Sequence, residues 1–186
     1  MLSFFAGFAR WGVLIYLFLS SGCALSLLAD PEGKKASLAL GRCEFLWVQT
    51  GGFKKDILEV MLENVVSGRP YLAVTNTKGY YFLPNLPTGV YLLKRIKFSL
   101  QDVTVEHEPD TKLFVMFDPG KVYYLGKLIV EVNRSRLKRG LTYSAYEKHI
   151  SGDIQEEDIK RLIAERKGGS KWLKQEIVLE NPLERF

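Results

Sequence analysis

The chain has 186 residues, of which 47% are hydrophobic and 12% are aromatic. This is enough apolar material for one packed domain with short appendages, and it excludes an intrinsically disordered chain. The formal net charge of +5 comes from 26 basic and 21 acidic residues that are not concentrated in one stripe, so we expect no nucleic-acid partner.

A hydrophobic run opens the chain. The apolar residues 11–19 follow the lone charge of Arg10, and the small residues 20–22 come next. A charged start, an apolar stretch and a small-residue end are the three parts of a secretory signal peptide, which we place at 1–22. Two alternatives stay open: the uncharged residues 11–29 are long enough for a single-pass signal anchor, and ordinary cleavage would release a free secreted protein.

The stretch LSSGC, residues 19–23, resembles the lipobox of bacterial lipoproteins. The two residues before the cysteine fit that pattern, whereas Ser20 departs from it because an aliphatic residue is usual there. The resemblance implies that Cys23 becomes the first mature residue and carries acyl chains such as palmitate. Two or more chains give stable attachment, so the membrane is the expected partner of Cys23. Ala24 does not resemble the acidic inner-membrane retention signal, which implies the outer membrane.

The body of the chain has the pattern of a mainly β protein. Residues 23–35 end in the polar segment DPEGKK and are interpreted as a lipid-anchored linker. Short apolar runs separated by turn residues then predict an antiparallel β-sandwich of seven or eight strands over residues 36–133. The runs are 38–49, 57–66, 71–75, 80–83, 90–98, 102–107, 112–117 and 122–132, of which 57–66 also suits a helix.

Two details of these runs predict local structure. In the run 90–98, alternation puts Leu92, Ile96 and Phe98 on one face, and Lys94 falls on the same apolar face. The strand is therefore expected to have an exposed end. Cys43 lies in an apolar run and is expected to be a buried small hydrophobic residue.

The stretch GYYFLPNLPTGVYLL, residues 79–93, resembles the carboxypeptidase regulatory-like, or transthyretin-like, β-sandwich. Residues 118–132 also resemble a segment that recurs in bacterial lipoproteins. These motifs are turn and core positions, so they imply a fold over about residues 35–133 and no ligand. The matching residues of the first stretch are Gly79, Phe82, Leu86, Pro87, Gly89 and Tyr91.

Residues 134–186 are predicted to be a basic linker followed by a helical extension. The segment 133–140 carries four basic residues and suits a solvated linker or a contact with anionic lipid headgroups. A helix is expected to start at Asp153 as its cap, with Glu156 reaching back, and to end at Gly168. A second short element contains Trp172. We expect these elements to pack on the sandwich, the alternative being that they bind a groove on a partner.

Catalytic motifs are absent from the sequence. His107 is expected at a solvated strand end, and His149 has no acid at a useful helical spacing. We therefore expect no enzyme, no catalytic or metal-binding residue and no cofactor. The predicted function is a lipid-anchored cell-envelope protein with a structural or protein-interaction role, whose partners are the membrane and another envelope protein.

One alternative function is a carbohydrate- or lipid-binding module whose aromatic side chains form a stacking surface. Exposure of these rings would favour it, and burial would count against it. The candidate residues are Tyr71, Tyr80, Tyr91, Tyr123 and Tyr124.

Overall fold

The computed structural model describes residues 28–47, 52–54, 58–100, 103–109, 112–137, 140–150, 152–179 and 183–185. Each of the eight predicted runs overlaps a strand. Within the described residues the elements are β1 (Ser37–Trp47), β2 (Gly52–Lys54), β3 (Leu58–Asn64), β4 (Pro70–Val74), β5 (Tyr80–Leu86), β6 (Gly89–Leu100), β7 (Val103–His107), β8 (Leu113–Phe117), β9 (Lys121–Leu137), β10 (Gly140–Ile150), α1 (Glu156–Ala164), a 3-10 helix (Gly169–Lys174), β11 (Glu176–Val178) and β12 (Leu183–Arg185).

The strands form two sheets of six. Sheet A has the order β10-β9-β1-β2, with β5 also paired to β1 and β11 also paired to β9. Sheet B has the order β12-β8-β6-β3-β4, with β7 also paired to β6. The pairings are antiparallel except those of β9 with β1 and with β11, which are parallel. The predicted fold class, a mainly β sandwich with a short helical C-terminal part, is confirmed.

A main core lies between the two sheets. Phe45 of β1 meets Phe98 of β6 edge to face, with ring centroids 4.6 Å apart. Four further rings form a continuous edge-to-face series from sheet B into sheet A, at centroid distances of 5.5, 5.1 and 5.0 Å. Such contacts add to the stabilisation from apolar burial, so this series joins the sheets directly. Its members, in order, are Tyr71, Tyr91, Phe117 and Tyr123.

A second core lies on the other face of sheet A. Leu38 and Leu40 of β1 point away from sheet B and are fully buried by α1 and the 3-10 helix. Ile159 and Ile163, four positions apart in α1, face them together with Trp172. The extension therefore packs on the sandwich, as expected. The buried members of this second core are Leu28, Ala36, Leu38, Leu40, Val122, Tyr124, Ile159, Ile163 and Trp172.

Two tyrosines fix the turns before their strands. The Tyr91 hydroxyl donates to the carbonyl oxygen of Pro87 at 2.8 Å. In the second turn the backbone N–H of Asp118 donates to the Tyr123 hydroxyl at 2.7 Å. Each tyrosine follows a proline-containing turn and forms a hydrogen bond with a backbone group of that turn, so it fixes the turn on the start of its strand.

The predicted alternation of side chains along β6 is wrong in the first half of the strand, where Leu92 was expected on the core-facing side. Tyr91 and Leu93 are buried there, and so are Ile96 and Phe98, so the inward face changes parity within the strand. The register with β3 shifts between Met61 and Leu62, where the extra residue of β6 is Lys94. A β-bulge re-aims the side chains on one side of it, which lets Lys94 avoid the core.

The basic segment 133–140 was predicted to be a linker, but residues 133–137 and residue 140 belong to strands. There the chain continues β9 to Leu137 and returns as β10 from Gly140 to Ile150. Basic composition marks a solvated segment, but a hairpin at a sheet edge is also solvated, and edge strands are rich in charge. Composition alone could not separate the two.

Burial of Tyr91 makes alkaline pH destabilising. Burial raises the pKa of Tyr91 from 10.0 to about 12, so above pH 10 the unfolded state loses this proton before the folded state does. Stability present below pH 10 is therefore lost as pH rises towards about 12. In urea unfolding at about pH 9 and about pH 11, Tyr91→Phe should lose less stability between the two values than the wild type.

The control is Phe98→Leu, which removes part of a buried ring that carries no titratable group. It should lower stability at both pH values and keep the pH dependence of the wild type. An identical pH dependence for Tyr91→Phe and the wild type would contradict this prediction.

Candidate functional site

Cys23, the residue that the sequence singles out, lies outside the described residues, as does the predicted signal peptide. The described chain begins at Leu28, five residues after Cys23. The way residues 28–36 are held therefore determines how the domain follows on from Cys23.

The segment 28–36 is fixed to the C-terminal extension, although its composition suggests a free linker. Leu28 is buried in the second core, and its N–H donates to the carbonyl oxygen of Lys167 at 3.0 Å. The indole N–H of Trp172 donates to the carbonyl oxygen of Ala29 at 2.9 Å, across 143 residues of sequence. We call Leu28, Ala29, Lys167, Gly168 and Trp172 the N-terminal clamp.

Further contacts hold the segment beyond the clamp. The Asn85 side chain accepts from the N–H of Glu32 at 2.8 Å and donates to the carbonyl oxygen of Asp30 at 3.0 Å. Lys171 pairs with the carboxylate of Asp30, but both side chains are more than half exposed, so this pair contributes little. Two backbone groups of the polar segment DPEGKK, the N–H of Glu32 and the carbonyl of Asp30, are thus bonded by the domain itself.

The helical side of the clamp follows from local sequence. Three acidic residues, 156–158, occupy the first turn of α1. Their negative charges interact favourably with the positive end of the helix dipole, which stabilises the helix. Gly168 has a φ of 92°, a left-handed conformation that glycine adopts easily, and it turns the chain into the 3-10 helix. A Cβ on Gly168 would overlap the carbonyl oxygen of Leu28, so the close approach requires glycine.

The predicted cap of this helix is wrong. The N-cap residue is Gln155, and it makes no side-chain capping hydrogen bond. Asp153 instead accepts a hydrogen bond at 2.9 Å from the Tyr124 hydroxyl in sheet A. Asp153 therefore ties the start of the extension to the sandwich. The alternative in which Trp172 binds a groove on a partner does not hold, because this side chain is fully buried.

Sheet B presents a different surface. Five large hydrophobic residues of the described chain are exposed, and they all belong to sheet B or to the turn after β3. Leu72 and Val74 lie two positions apart on β4 and are both exposed, and adjoining exposed apolar side chains of this kind mark interaction sites. The five residues are Val65, Val66, Leu72, Val74 and Met116.

A charged network shares the outer face of sheet B with these residues. Arg95 of β6 bonds Glu59 of β3 at 3.1 Å and Glu106 of β7 at 3.2 Å. Lys97 lies 3.6 Å from Glu106. Leu72 and Val74 on β4 lie to one side of this network, and they make an apolar margin beside a charged centre.

The tyrosines proposed for a stacking surface do not lie together on one. Tyr91, Tyr123 and Tyr124 are at most 3% exposed and belong to the two cores. Tyr71 and Tyr80 are half-buried. Sequence alternation could not separate core tyrosines from surface ones, because both faces of sheet A are covered.

The candidate chemical groups are dispersed. Cys43 is buried as predicted, and burial raises the pKa of its thiol, so the thiol stays protonated and is a poor nucleophile. His107 ends β7 and is half-buried. The side chain of His149 lies outside the described residues. Among the described side chains, no three His, Cys, Asp or Glu residues form a metal-binding group.

The part of the chain that the structure describes contains no helix that is long and apolar enough to cross a membrane. The sequence matches no known family model. A search of curated proteins also finds no match.

The clamp predicts a specific effect of Gly168→Ala. The added methyl group would push the extension away from Leu28, so we expect a stability loss of about 1–3 kcal/mol. Hydrogen exchange at the Leu28 amide should accelerate at least roughly tenfold, because its acceptor, the Lys167 carbonyl, moves away.

The matched control is Gly152→Ala. Gly152 also has a positive φ, of 72°, but a Cβ there has nothing within 4 Å. This variant should show the cost of the left-handed backbone, about 1 kcal/mol, without faster exchange at Leu28. Equal exchange rates at Leu28 in the two variants would mean that the close approach at Gly168 does not hold the segment.

Proposed function

We propose that this protein is a lipid-anchored protein of the bacterial cell envelope, held through Cys23, with a non-catalytic structural or protein-interaction role. The observation that carries the proposal is the spacing between Cys23, which ends a signal-like hydrophobic run, and Leu28, which is fixed in the clamp. A domain that begins immediately after a lipobox-like cysteine suits a protein held close to a membrane.

The spacing sets the reach of the tether. Five residues extend at most about 18 Å, so an acylated Cys23 would keep the clamp close to the headgroups. The clamp lies on the side of sheet A that faces away from sheet B. The outer face of sheet B would then point away from the membrane, where it can meet a partner in the envelope.

The proposal includes a relationship of the sandwich to the carboxypeptidase regulatory-like, transthyretin-like domains. Its support is that the residues shared with those domains serve the turns and the core. Gly79 has a φ of 84° in its turn, Leu86 and Tyr91 are fully buried, and Pro87 accepts the Tyr91 hydrogen bond. We also propose the outer membrane as the location, because Ala24 after the cysteine lacks the acidic retention signal.

Intact mass of the protein purified from its native membrane tests the attachment. The chain should begin at Cys23 and carry the added mass of acyl chains. In Cys23→Ala that added mass should be absent, because the alanine has no thiol to accept a lipid.

Two outcomes would contradict the proposal and identify what replaces it. The mass of the uncut chain would mean that residues 11–29 act as a signal anchor. A cleaved chain without acyl mass would mean a free secreted protein.

A further inference from the structure

Strand β4 is an open edge of sheet B. Among the described strands it pairs with β3 alone, and the chain order of the sheet places it at one end. Its five residues, Pro-Tyr-Leu-Ala-Val, carry no charge, and Leu72 and Val74 are 53% and 61% exposed. Edge strands are usually protected by charge or by a covering element, because their free backbone groups pair with other strands.

The direction of the backbone groups on β4 follows from its ladder with β3. The N–H of Asn64 donates to the carbonyl oxygen of Arg69 at 3.0 Å, so the polar groups of residue 69 face β3. Backbone groups alternate along a strand, hence those of Tyr71 and Ala73 face β3 as well. Those of Pro70, Leu72 and Val74 face the open edge, and Pro70 contributes a carbonyl oxygen without an N–H.

We infer that β4 pairs antiparallel with β4 of a second copy of this chain, with Leu72 opposite Leu72 of the second copy. In this register the N–H of Leu72 donates to the same residue's carbonyl in the other copy. The N–H of Val74 donates to the Pro70 carbonyl of the other copy. Both outward donors of each strand are satisfied, and the position without an N–H acts only as an acceptor.

The side chains are compatible with the same register. Leu72 is paired with Met61 of β3, so two leucines and two methionines would form one apolar row across the two-fold axis. Val74 would meet Pro70 of the second copy. On the inner side, the large Tyr71 would oppose the small Ala73. Apolar pairs in these positions stabilise a sheet.

The charges near β4 do not oppose this pairing. The Arg69 guanidinium lies over the Tyr71 ring of the same copy, 5.2 Å from the ring centroid. Glu59 and Glu63 lie one strand further in, on β3, and pair with Val74 and Pro70. Pairing about Leu72 therefore brings no two like charges face to face, which would be destabilising.

The pairing of two copies does not depend on the proposed lipid anchor. It does have a consequence for where the two anchors would lie. An antiparallel pair of identical strands has its two-fold axis perpendicular to the sheet, so the two copies of sheet B face the same way. The clamps of both copies then lie on one side. Two tethers on one side would suit attachment to a single membrane surface. The second copy of the chain is then the partner that occupies the open edge of β4.

Sedimentation of the full chain in density-matched mild detergent tests the inference. The wild type should sediment with twice the protein mass of 21.2 kDa, less any cleaved signal. Leu72→Lys should sediment as one copy, because two like charges would meet at the axis. The control Val66→Lys changes a residue that is 90% exposed in the turn outside β4, and it should keep two copies.

A short thiol crosslinker tests the register. Opposed residues in a hydrogen-bonded antiparallel pair have Cβ atoms about 5.5 Å apart, which is wider than a disulfide accepts and which a short bis-maleimide can bridge. In a Cys23→Ala background, Leu72→Cys should form a dimer linked 72 to 72 with this reagent, whereas Val66→Cys should not. Buried Cys43 does not compete.

A wild type that sediments as one copy would overturn the inference, and so would two copies in Leu72→Lys or one copy in Val66→Lys. The absence of a 72-to-72 crosslink would overturn the register. These results are separable from the proposed function. Cys23→Ala should still sediment as two copies, whereas an acylated chain of one copy would leave the anchor intact and remove the pairing.

Discussion

The parallel pairing of β1 with β9 is the constraint on which the rest of the structure depends. Nine register pairs join the strands, from Leu38 with Val122 to Trp47 with Val132. Parallel strands are normally covered on both faces, and here Ala39 and Phe45 of β1 face sheet B while Leu38 and Leu40 face the helices. The molecule is therefore built of three layers: sheet B, sheet A and the helices. The C-terminal extension is required because it covers the second face of sheet A.

This arrangement makes the two outer surfaces unequal. On the outer face of sheet A, Leu38, Leu40 and Val122 are buried beneath α1 and the 3-10 helix, and Trp172 is fully buried with them. The outer face of sheet B keeps Leu72, Val74 and Met116 exposed beside a network of ion pairs. Any interaction that uses apolar surface in the described part of the chain is thus directed to sheet B.

Much of the fold could be predicted from the sequence because strand alternation and turn chemistry are local properties. The strands up to Val132, apart from β2, were recognisable in this way. The bulge at Lys94 was not, because one extra residue changes the parity of a strand without changing its composition. The hairpin of β9 and β10 was missed because basic residues suit an edge strand as well as a linker.

The candidate site likewise has one part that the sequence predicts and other parts that it does not. Cys23 stands out in the sequence because a cysteine after a hydrophobic run has a local meaning. The clamp has none, because the Trp172 indole and the Ala29 carbonyl are 143 residues apart and neither carries a recognisable motif. The free edge of β4 likewise depends on the order of strands in sheet B, which local patterns do not determine.

The long span of the clamp has a consequence for the timing of folding. Residues near Leu28 leave the ribosome long before their partners Lys167 and Trp172 are made, because 143 residues separate Ala29 from Trp172. Until those residues arrive, Leu28 has no burial site and the start of the domain remains accessible. Any enzyme that acted just before Leu28 in this interval would meet an unclamped segment, and synthesis of Trp172 would close the interval.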